Sequence, residues 1–178
     1  MRKSLAKSVA KSLTMSVLAV AVLLTIAQFG PAVITAGRAE GPVSPIFGVG
    51  IPDGYRQWEM IAVSEEAGLD ELRGVLGNNV AVGAYRSGTL PFPDGTILAK
   101  LAWKRAPVAG LDGAFLAGPA TTVQIMVKDS RKYASTGGWG FGRFIDGQPV
   151  DEAQHQTCFA CHEAHTKEND FVFTHFAR

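Results

Sequence analysis

The chain has few cysteines, no acidic residue before Glu40, and no apolar run long enough to cross a bilayer. Two cysteines in 178 residues exclude a small domain stapled by several disulfides. The longest apolar run, Val17 to Phe29, has 13 residues, against about 20 for a spanning helix. It follows the basic stretch "MRKSLAKSVAKSL" and precedes the small residues of "ITAGRAE". A basic region, a short apolar region and small residues at a cleavage point describe a secretory signal. Residues 1–39 are therefore expected to be a signal peptide cut after Ala36 or Ala39, rather than an anchor. Residues 40–178 remain as one exported, periplasmic domain with room for a single core.

Basic charge is also scarce in that domain. Arg2, Lys3, Lys7, Lys11 and Arg38 precede Glu40, so 12 of the 17 basic residues remain against all 16 acids, about −4. No basic patch is left to suggest a nucleic-acid partner. Internal repeats and low-complexity tracts are absent as well.

Both cysteines fall in "CFACH", residues 158–162. A disulfide between Cys158 and Cys161 would close too short a loop to constrain the unfolded chain much. A redox dithiol of the C-x-x-C kind usually opens a helix after a strand in a βαβ unit, and no such unit follows here. Zinc is the stronger competitor, since His155, Cys158, Cys161 and either His162 or His165 make four ligands. A histidine directly adjoining the second cysteine, however, is what covalent haem attachment requires. Two thiols one helical turn apart each add to a haem vinyl group, and the next residue falls beneath the iron. The reading is one haem c, with Cys158 and Cys161 as anchors and His162 as the proximal iron ligand. No methionine follows the motif, the last being Met126. A His/Met electron shuttle therefore loses ground to an iron with an open distal face, where small molecules bind and react.

The rest reads as strands with short helices. "TILAKLAWKR" (96–105) puts Ile97, Ala99, Leu101 and Trp103 on one face and Leu98, Lys100, Ala102 and Lys104 on the other. "TTVQIMVKDS" (121–130) and "WGFGRFID" (139–146) alternate in the same way, and an Asp94-Gly95 turn precedes the first. Gly140 and Gly142 would let another surface, such as a flat haem, approach the backbone. Further strands are expected over 55–63 and 72–77. A helix capped by asparagine is expected over 78–87, and a longer one over 151–165, with acids in its first turn. The lead-in 40–54 is expected to be irregular. The fold class is α+β, mainly an antiparallel sheet, with short helices and a C-terminal helix carrying the haem motif. His155, His165 and His175 read as surface or helix-end residues. Phe115, Phe141 and Phe144 read as pocket wall or plain core, and Arg143 as a partner for a haem propionate or an exposed strand residue.

In this order "YRQW", "FPDGTILAK", "VKDS", "GGWGFGRF", "CFACH" and "DFVFT" resemble the cytochrome P-460 family over nearly the whole exported part. The resemblance implies a mostly antiparallel β fold, a homodimer, a five-coordinate haem c and chemistry on hydroxylamine and nitric oxide, with another cytochrome as redox partner. It also implies a lysine bonded to the haem ring, and the matching residue is Lys100. Without the resemblance, Lys100 would read as a solvated lysine. Hydroxylamine-oxidising members resemble one another in a distal carboxylate four residues before the position of Lys128. This chain has Gln124 there. An amide orients a ligand but is no general base, so gas binding of the kind implied by the related β-sheet cytochrome c′ gains weight.

Overall fold

A computed structural model describes residues 41–177, so the signal segment expected over 1–39 lies outside the described residues. Six strands form one antiparallel sheet in chain order: β1 (Glu59–Glu66), β2 (Glu71–Gly77), β3 (Ile97–Pro107), β4 (Phe115–Lys128), β5 (Trp139–Ile145) and β6 (Gln148–Pro149). Helix α1 (Asn79–Ser87) joins β2 to β3, and α2 (Glu152–Thr166) follows β6. The α+β class expected from the strand alternation holds. Among the described residues no helix is long and apolar enough to cross a membrane.

The strand period of two splits the apolar residues between two cores, one on each side of the sheet. Leu98, Trp139 and Phe141 join Ile61, Val75 and Phe92 beneath α1 and α2. Ile97, Ala99, Leu101, Ile125 and Phe144 pack on the opposite side with Val49 and Tyr133. Both helices are capped by side chains: the asparagine cap of α1 is the expected one, whereas Asp151, expected in the first turn of α2, is its cap. Asn78 Oδ1 accepts the Ala81 N–H at 3.0 Å, and Asp151 Oδ1 accepts the Gln154 N–H at 2.8 Å. Helix α1 ends at Gly88, whose φ of 65° suits a residue without Cβ.

Three expectations need correction. Tyr55–Gln57 is a 3-10 turn, entered through Gly54 at φ 67°, so the first strand starts only after Trp58. Strand β4 begins at Phe115, well before 121, because it pairs with the far end of β3 at Arg105, Ala106 and Pro107. The lead-in is irregular, as expected, and is also firmly packed: Val49 is buried, and Ser44 Oγ donates to the Phe141 carbonyl at 2.8 Å. Gly140 and Gly142 admit rings of this chain rather than a cofactor. A Cβ on Gly140 would lie 2.3 Å from Tyr133 Cζ, and one on Gly142 would lie 2.7 Å from Phe144 Cε2.

Candidate functional site

One side of the sheet, α2 and the segment 172–174 enclose a cavity of about 690 Å³, within the size range of cofactor sites. Its wall on the sheet side follows from register. Val75, Lys100, Gln124 and Arg143 stand opposite one another on β2, β3, β4 and β5, forming one row across the sheet. The row formed by Leu98, Met126 and Phe141 is apolar. On the other flank, Glu71 and Arg73 of β2 and Glu66 of β1 add charge.

Helix α2 closes the cavity with one stripe. Cys158, Cys161, His162 and His165 line it, and spacings of three and four residues put them on one helical face. Both thiols are free. Burial pushes the Cys158 thiol up from its ordinary value, the opposite of an activated redox cysteine. His162 lies between the Phe141 and Phe173 rings, with centroids at 5.0 and 4.9 Å. Its Nδ1 is 2.7 Å from the Phe171 carbonyl. A carbonyl only accepts, so Nδ1 carries the proton and Nε2 keeps its lone pair for a metal. Burial lowers the His162 pKa, outweighing the Phe171 carbonyl, and nearby Lys100 adds to the lowering. The imidazole is thereby kept in its ligating, neutral form.

Lys100 is not the solvated lysine that its residue type alone suggests. Burial is the main cause that lowers its pKa to about 8, with Arg73 and Arg143 also lowering it and Glu71 opposing them. Gln124 donates from Nε2 to the Thr122 hydroxyl at 3.2 Å. Glu71 keeps a low pKa despite burial, because the Thr121 hydroxyl and the Arg73 guanidinium stabilise its charge. Arg143 Nε is a buried nitrogen with no hydrogen-bond partner.

The sequence profile of the cytochrome P460 family matches residues 52–174, well over half of the chain. The chain belongs to the cytochrome P460 family. No curated protein matches it. Members bind a covalently attached haem c, and this cytochrome P460 chain has a cavity whose residues fit that group. Two free thiols and an imidazole with an available Nε2 share one helix face, and an orphaned guanidinium donor stands on the wall beyond. A buried donor without a partner costs free energy, and a haem propionate is a suitable acceptor.

The competing readings of "CFACH" lose their support in the same geometry. Among the described residues no three of His, Cys, Asp and Glu are grouped to hold a metal ion. His155, needed for zinc, is fully buried and turned away. Its Nδ1 faces the Asp151 carbonyl at 2.9 Å, and its Nε2 accepts the Arg143 N–H at 3.1 Å. This corrects its reading as a surface residue: the ring fastens α2 to β5. His165 and His175 are both exposed, as expected, and His165 also borders the cavity. Of the three phenylalanines, only Phe141 reaches the cavity. Phe144 belongs to the opposite core, and Phe115 is exposed at the far end of β4. Glu71, Arg73 and Met126 were not singled out from the sequence. The alternation that puts Lys100 on the cavity side does the same for Met126, and pairing with β3 fixes the positions of Glu71 and Arg73.

Proposed function

We propose that this protein is an exported, periplasmic single-haem c protein that binds hydroxylamine or nitric oxide in the cavity and oxidises it, passing the electrons to another cytochrome. Haem c supplies an iron that binds small nitrogen species and accepts electrons. Cys158 and Cys161 anchor the group through thioether bonds, His162 offers Nε2 to the iron, and Arg143 pairs with a propionate. Lys100 is the residue for the ring bond implied by the family resemblance. An amine with a pKa near 8 exists as the free, nucleophilic base far more often than an ordinary lysine. The observation that carries this reading is the facing of Lys100, Gln124 and Arg143 on the sheet by Cys158, Cys161 and His162 on α2 around one cavity. Self-association into a homodimer belongs to the same proposal, and the exposed Val63 and Met60 on edge strand β1 offer an apolar surface for it.

Gln124 favours a second reading, in which the protein binds nitric oxide without turning it over. Its amide donates to Thr122 and can steady a bound molecule, but it cannot accept the substrate's proton. Steady-state oxidation of hydroxylamine with an artificial electron acceptor separates the two. The oxidase reading expects turnover, raised in Gln124→Glu by roughly 10² to 10⁴-fold where proton transfer limits the rate. Absence of turnover in both forms, with tight nitric oxide binding retained, leaves the binding module.

A further inference from the structure

Beyond the cavity, Lys128 and Asp170 form an ion pair with Nζ–O distances of 2.7 and 2.8 Å, and their side chains are only 6% and 9% exposed. Such a pair needs supporting hydrogen bonds, and these point to a role. Lys128 Nζ also donates to the Gly137 carbonyl at 3.0 Å and lies over the Trp139 ring. The Asp170 carboxylate accepts the Phe92 N–H at 2.8 Å, while its own carbonyl accepts Trp139 Nε1–H at 2.8 Å. Three other chain segments converge on this one aspartate.

Asp170 and Phe171 both have left-handed backbones, with φ of 49° and 63°. Aspartate enters that region fairly readily, as Asp70 and Asp146 also do, whereas a phenylalanine does so only when its surroundings hold it there. Here the ion pair holds the first residue, and the second docks its ring on Gly137, where a Cβ would lie 2.3 Å from Phe171 Cε2. Together the two left-handed residues set the direction of the Phe171 carbonyl. Phe171 O is the group that accepts the His162 Nδ1–H at 2.7 Å.

We infer that Asp170 and Lys128 are positioning residues for the iron ligand: their buried pair locks the turn whose carbonyl orients the His162 ring and strengthens its Nε2 as a donor. The inference rests on the reading of His162 as that ligand. A hydrogen bond to the remote nitrogen raises ligand basicity, which favours the ferric over the ferrous state. Slackening it should therefore raise the reduction potential.

The test uses the haem-loaded protein, with the iron–histidine stretch and the reduction potential as readouts. The wild-type ferrous protein should give a stretch that His162→Gly abolishes. If it does not, the ligand reading fails before the clamp is tested. Asp170→Asn should lower the stretch frequency. It should also shift the ferric-to-ferrous balance by roughly tenfold, the low end of what losing an orienting partner costs, or about 59 mV for one electron. Should the unpaired Lys128 prevent folding, the double variant Asp170→Asn with Lys128→Met removes both charges while the Asn oxygen still accepts the Phe92 N–H. The same shift is expected there. A folded variant that loses thermal stability but keeps the wild-type frequency and potential would overturn the inference.

Discussion

Lys100 illustrates how environment decides the character of a residue. Two positions along β3, Lys104 lies exposed and donates to the Leu69 carbonyl at 2.6 Å. Lys100 instead faces the cavity, where burial lowers its pKa from 10.5 to about 8. The sign of the consequence follows from linkage. Between about pH 8 and 10.5 the unfolded chain holds a proton that the folded chain has released, so folding stability rises with pH across that window. Below it both states are protonated, and the buried charge weighs fully against folding. Denaturant titrations of protein lacking the ring bond should give unfolding free energies that climb from pH 8 to 10, with a flatter climb in Lys100→Met. Identical slopes in the two proteins would mean that Lys100 is solvated in solution. The residue type alone points to that solvated state, since lysine is mostly exposed. Only the alternation with Leu98 and the family resemblance indicated otherwise.

At the scale of elements, the sheet and helices were legible wherever the signal was local. Alternation gave both faces of β3 and β5, and Asn78 and Asp151 marked the helix starts. What was not legible depends on partners far along the chain. Gly140 and Gly142 suggested close approach, and close approach is what they provide, but the approaching rings belong to Tyr133 and Phe144. His155 looked like any polar residue on an exposed helix, yet its partner is a backbone N–H on β5. The pairing of Lys128 with Asp170 across 42 residues leaves no periodic trace. Gly140 provides the element-scale test. Gly140→Ala drives a methyl into the Tyr133 ring, whose hydroxyl is tied to the Phe47 carbonyl at 3.1 Å, so the ring has little room to retreat. Overpacking of this kind costs about 1–3 kcal/mol, and the denaturant midpoint should fall accordingly. An unchanged midpoint would mean that Tyr133 swings free, contrary to its place in the core.

For the whole molecule, the sheet is a scaffold that carries one chemically equipped face, while α2 brings the attachment motif to it. The same sheet leaves β1 as a long edge, with Val63 71% and Met60 47% exposed. If the protein is a homodimer, light scattering of the exported form should give twice the chain mass, and Val63→Glu should reduce it to one. A single chain mass in the wild type would remove self-association from the account.

The claim on which the rest depends is that this cavity holds a haem anchored by Cys158 and Cys161, ligated by His162 and bonded through Lys100. The absorption spectrum of the reduced protein, made in an exporting host that matures c-type haem, tests it most directly. The account predicts covalent haem with a Soret band displaced far to the red of an ordinary c-type haem, and loss of the displacement on substitution of Lys100. An ordinary spectrum, the same in wild type and Lys100 variant, would contradict the ring bond and shift the weight to nitric oxide binding. Absence of covalent haem would contradict the whole reading of the cavity.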